Sequence, residues 1–131
     1  MMRLSKKADY GLVALKALGA LGTEDSLSAR ELATRNHLPL DLTPKILARL
    51  AQAGLVEATM GKAGGYRLVR ELSDITVAEV VRILDGESHI VQCGDGESEC
   101  SRFAECDIRS PLDNLNREVM KVLDRMTIAQ L

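Results

Sequence analysis

Residues 43–69 read TPKILARLAQAGLVEATMGKAGGYRLV, and this stretch decides the fold. Ile46, Leu47 and Leu50 recur at helical spacing, which predicts a helix with one buried stripe. Pro44 belongs in the first turn of that helix, where its missing N–H removes no hydrogen bond. The helix therefore begins near Asp41 or Thr43. Gly54 stands where a left-handed cap would end it. Residues 55–60 then read as a strand, 61–65 as a basic, Gly-rich tip, and 66–69 as the returning strand. A helix followed at once by a short hairpin supplies the reading helix and the wing of a winged helix-turn-helix.

The flanking sequence completes that pattern. Leu4, Ala8, Leu12, Leu15, Leu18 and Leu21 predict a first helix over 4–21, with Ser5 as its N-cap and Gly22 as its stop. Ser28-Ala29-Arg30-Glu31 is a capping box that opens a short helix to about Thr34, and Asn36-His37-Leu38-Pro39 makes the next turn. Thr76-Val77-Ala78-Glu79 is a second capping box, and its helix ends near Asp85. Ser110-Pro111 opens a long last helix with Leu112, Leu115, Val119, Val122, Leu123 and Met126 along one face. That face is too apolar for a lone surface helix and predicts a homodimer built on it. The expected fold is mainly α with a small β-hairpin: a winged helix-turn-helix over 1–86, a cysteine-containing loop over 87–109, and a dimerisation helix over 110–131.

Composition narrows the function. The 131 residues include no Trp and a single Phe, so Leu, Val, Ile, Ala and Met must build the core. No apolar run reaches the roughly 18 residues of a membrane span. The start Met1-Met2-Arg3-Leu4-Ser5-Lys6-Lys7 lacks the features of a secretory signal, so a cytoplasmic protein is expected. The net charge of -2 hides a division: residues 1–70 carry 11 Lys/Arg against 6 Asp/Glu, and residues 71–131 carry 6 against 13. A basic N-terminal half suits double-stranded DNA. Thr43 and Lys45 are early enough in the third helix to reach base edges, and Arg49, a turn later, is placed for phosphate. Lys62 and Arg67 on the wing, with Arg3, Lys6 and Lys7 at the N-terminus, are further candidate DNA contacts. Residues 61–65 lack the phosphate-loop pattern and no nucleophile–base pair is visible, so the chain does not read as an enzyme.

The only cysteines, Cys93, Cys100 and Cys106, share one acidic stretch of weak periodicity. An odd count leaves one thiol outside any disulfide. Gaps of six and five residues exceed the two- to four-residue knuckles of structural zinc. Such spacing suits a loop wrapped around a larger inorganic core, a metal centre that takes thiolate ligands. A metal-free thiol switch and a cluster-carrier adaptor are the alternatives that the same residues leave open.

Four segments carry a family resemblance: Met2-Arg3-Leu4-Ser5, Gly54-Leu55-Val56, the wing Gly61-Lys62-Ala63-Gly64-Gly65-Tyr66-Arg67-Leu68, and Ile75-Thr76-Val77-Ala78-Glu79-Val80. In this order, and followed by the three cysteines, they resemble the Rrf-type (IscR/NsrR-like) bacterial transcriptional regulators over nearly the whole chain. The shared start, Asp9-Tyr10 and the wide first cysteine gap are most similar to regulators of SUF iron–sulfur assembly. The resemblance implies a homodimer, a palindromic operator and a 2Fe–2S or 4Fe–4S cluster on Cys93, Cys100 and Cys106. IscR-like members add a His shortly after the third cysteine, where this chain has Asp107-Ile108-Arg109-Ser110. The nitric-oxide sensors instead use an Asp from the first helix of the partner subunit. Asp9 falls at that place and is the leading fourth ligand; His89 is a weaker candidate and His37 reads as a surface residue. The implied function is repression of iron–sulfur assembly genes, with a nitric-oxide or general redox-sensing repressor as the alternative.

Overall fold

Ser5 begins the first element: its hydroxyl accepts the Ala8 N–H at 3.1 Å and caps helix α1 (Lys6–Leu21). The computed structural model describes residues 4–22, 24–61, 64–86, 105 and 107–131. α1 turns Ala8, Leu12, Leu15 and Leu18 inward. Gly22 ends it with its N–H on the Gly19 carbonyl, 3.2 Å away. Ser28 caps α2 (Ala29–Asn36) by accepting the Glu31 N–H at 3.1 Å. α2 runs past the expected Thr34 because His37 adopts a left-handed φ of 55° and Leu38 bonds back to the Ala33 carbonyl at 2.9 Å.

α3 (Thr43–Gln52) starts with Pro44 in its first turn and buries Ile46, Leu47 and Leu50. Gly54 follows at φ 80°, as its position in the sequence predicts. The hairpin pairs β1 (Val56–Thr59) with β2 (Gly65–Leu68) antiparallel, with Val56 opposite Leu68, Glu57 opposite Arg67 and Ala58 opposite Tyr66. Leu27, ahead of α2, adds a bridge to the wing. Its N–H reaches the Tyr66 carbonyl at 3.0 Å, and the Tyr66 N–H reaches its carbonyl at 2.6 Å.

A 3-10 turn (Leu72–Asp74) leads to α4 (Val77–Asp85), capped by the Thr76 hydroxyl on the Glu79 N–H at 3.1 Å. The core is aliphatic, as the composition requires: Leu15, Leu18, Leu32, Leu47, Leu50, Leu55, Ile75 and Val80 are all shut away from solvent. α5 (Arg109–Arg125) buries none of its residues fully. It leans on α4 through Arg82, whose guanidinium donates to Asp124 at 3.0 and 3.2 Å, and through the partly buried Leu123.

Beyond α5 the chain returns to the winged domain. The Val77 N–H bonds the Met126 carbonyl and the Ile128 N–H bonds the Ile75 carbonyl, both at 2.9 Å. The Ile128 side chain is fully buried. The division expected at residue 110 therefore does not hold for the tail, which completes the core of the first unit. Among the described residues, no helix is long and apolar enough to cross a membrane.

Candidate nucleic-acid interface and cysteine segment

The buried stripe of α3 fixes what its other face shows. Pro44, Lys45, Ala48 and Gln52 are exposed, with Arg49 beside them. Lys45 is thus open to a ligand, as expected. Thr43 is not, and this corrects the expectation that it reads bases: it is 1% exposed, and its hydroxyl donates to the Pro39 carbonyl at 2.7 Å. Thr43 lies three and four residues before Ile46 and Leu47, so helical periodicity puts it on the buried stripe. The same periodicity locates Ala48 and Gln52, which the sequence reading missed. A Gln amide pairs well with adenine and an Ala methyl with thymine.

Arg49 is exposed but engaged. Its Nη2 donates to the Ile83 carbonyl in the last turn of α4 at 3.0 Å. On the wing, strand register sets Arg67 directly across from Glu57, and the two form an ion pair. Lys6 and Lys7 stand exposed at the start of α1. Arg3 and Lys62 lie outside the described residues.

Cys93, Cys100, Cys106 and His89 also lie outside the described residues. Asp9 is exposed in the first turn of α1, where a carboxylate also complements the helix dipole. The Ser5 hydroxyl donates to both carboxylate oxygens of Asp85 at 2.6 Å. This ties the N-terminal turn of α1 to the last residue of α4, just ahead of the cysteine-bearing stretch. Asp9 is one helical turn on from Ser5, and its N–H bonds the Ser5 carbonyl at 3.0 Å. Among the described residues, no three His, Cys, Asp or Glu side chains gather as a metal site would require. The three thiols of that stretch are a donor set whose chemistry fits an iron–sulfur cluster. His37 is exposed and serves the left-handed end of α2.

The model of the Rrf2 family, described as iron-dependent transcriptional regulators, matches residues 4–131. The repressor NsrR of Streptomyces coelicolor is 32% identical over 131 residues, which cover 99% of this chain and 88% of that protein. Among solved structures, CymR, the global cysteine regulator of B. subtilis, has a TM-score of 0.76 at 28% identity, covering 99% of this chain and 95% of its own. IscR of T. potens also has a TM-score of 0.76 at 28% identity, covering 98% of this chain and 85% of its own.

Proposed function

The chain belongs to the Rrf2 family of DNA-binding transcriptional regulators, and from that premise we propose that it is a cytoplasmic, homodimeric repressor of iron–sulfur assembly genes of the SUF type. It senses iron–sulfur status through a cluster held by Cys93, Cys100 and Cys106. One observation carries the DNA-binding half of this reading: the exposed face of α3 stands in the same small domain as a two-stranded wing. A helix fits the major groove, and cations around it meet phosphate. Lys45 serves the groove, while Arg3, Lys6, Lys7 and Lys62 serve the backbone.

The dimer reading is supported by α5, on which Leu115 and Val122 are each at least half exposed. A two-fold dimer matches a palindromic operator, whose half-sites are about one helical turn apart. When bound, the cluster supplies an iron centre whose ligand bonds respond to redox state, iron supply and nitric oxide. The three thiolates hold it, and Asp9 of the partner subunit is the proposed fourth ligand.

The alternative, a nitric-oxide-sensing repressor, is favoured by one feature: the chain offers Asp9 on α1 and no His at Asp107-Ile108-Arg109-Ser110. Purification without oxygen, with iron and sulfide counts, tests the cluster. Each Cys→Ala variant is expected to lose the visible absorbance; colour intact in all three refutes the ligand set. A colourless, iron-free wild type would point to the thiol switch or the adaptor. Iron starvation against nitric oxide, scored by which releases DNA, separates the two sensing readings.

A further inference from the structure

The last turn of α4 gathers side chains from two other helices. The final carbonyls of a helix have no partner within it. Here the Arg82 carbonyl accepts the Gly86 N–H at 2.9 Å, and the Ile83 carbonyl accepts Arg49 Nη2 from α3 at 3.0 Å. The second bond is charge-assisted and sits at the negative end of the α4 dipole. One residue further on, Asp85 holds the Ser5 hydroxyl of the α1 cap.

Arg49 lies four residues after Lys45 and three before Gln52, so its tether bears on the rotation of the face they share. The opposite side of α3 rests on Ile46, Leu47 and Leu50. Burial of that stripe fixes which face of α3 points outward, and close packing leaves only small adjustments of its rotation. A directional hydrogen bond to a fixed carbonyl at the flank sets what remains of that adjustment. Hydrogen bonds to base edges need placement within about 0.5 Å.

We propose that Arg49 is a positioning residue for DNA reading: by capping α4 at the Ile83 carbonyl it sets the rotation of α3 that presents Lys45 and Gln52, and it makes no phosphate contact. This rests on the reading above that α3 enters a groove.

The test uses the full chain, purified without oxygen, as wild type, Arg49→Gln and Arg49→Lys. The probes are a duplex selected from a random pool by the wild-type protein and a scrambled duplex of the same length, each titrated with salt. Arg49→Gln is expected to keep the wild-type salt slope while the selected-over-scrambled preference falls about tenfold, the worth of one misaligned base contact. Arg49→Lys, which can still donate to the carbonyl, is expected to recover most of that preference. A slope flatter by about one unit in Arg49→Gln would make Arg49 a phosphate contact and overturn the proposal. So would an unchanged preference, or an Arg49→Lys variant no better than Arg49→Gln. A wild type that binds neither duplex in a salt-dependent way fails before any variant is made, and marks the groove reading itself as wrong together with this proposal.

Discussion

Gly65 in β2 lies so close to Leu27 that a Cβ built on it would stand 2.4 Å from the Leu27 carbonyl carbon and 2.5 Å from its oxygen. The cause is the neighbouring residue. Tyr66 exchanges both of its backbone hydrogen bonds with Leu27, and that pulls the two segments together at the position just before it. The wing is therefore held to the segment that opens α2, and only a residue without a side chain allows the approach.

Gly65→Ala is expected to destabilise the domain by about 1–3 kcal/mol, the usual cost of forcing atoms into a filled space. The obstacle is backbone, which cannot swing aside as a side chain would. Urea unfolding followed by circular dichroism reads it as a lower midpoint at unchanged slope. An unchanged midpoint would mean that the Leu27 bridge opens freely and does not anchor the wing.

How much of this was readable in advance follows from the range of each interaction. Ser5, Ser28 and Thr76 announce three helix starts because each hydroxyl takes the N–H three residues on. Gly54 is equally local. Thr43 was misread because two local rules disagree there: its place near a helix start suggests exposure, while its spacing to Ile46 and Leu47 requires burial, and core packing wins. Lys6, Lys7 and Lys45 were legible as exposed cations. Arg49 and Arg67 were legible as charges but not as charges already engaged. Arg49 reaches across 34 residues to Ile83, and the Arg67 partner depends on strand register. Neither contact leaves a trace in composition or periodicity.

Ile128 makes the same point as a measurement. It sits in a six-residue tail, Met126-Thr127-Ile128-Ala129-Gln130-Leu131, too short to show a helical repeat, yet its side chain is fully buried and its N–H is fixed to the Ile75 carbonyl at 2.9 Å. Ile128→Ala is expected to lose about 2–5 kcal/mol of stability, the range for emptying an aliphatic core position. Thermal or urea unfolding gives the number. A loss below about 1 kcal/mol would show that the tail packs on the domain without supporting it.

Glu57 competes for the wing cation. The Glu57–Arg67 pair is more than a third exposed on both sides, so it contributes at most about 1 kcal/mol to folding. Its effect on binding is larger, because a paired guanidinium brings no net charge to a phosphate. Glu57→Gln is expected to tighten binding to any duplex at low salt and to steepen the salt slope by about one unit. The sign is diagnostic: a steeper slope means that the freed Arg67 reaches the backbone. An unchanged slope places Arg67 away from DNA and leaves Glu57 a role in strand pairing alone.

Leu115 and Val122 stand two helical turns apart on α5, at 50% and 56% exposure. Leu112, one turn before Leu115, and Val119, between the two, share that side and are only partly covered. No α5 residue is fully buried within its own protomer, so a charge at Leu115 or Val122 disturbs little of the core. Leu115→Glu and Val122→Glu are therefore expected to keep the wild-type helix content by circular dichroism while sedimentation shifts from dimer to monomer, and the unfolding midpoint falls only by the lost subunit linkage and no longer depends on protein concentration. Affinity for a palindromic duplex should fall by about 10²–10⁴, because the second half-site then loses the effective concentration that linkage provides. Binding to an isolated half-site should persist. Variants that stay dimeric with the operator affinity intact would remove α5 from the interface and require the two-fold contact to be sought on another surface.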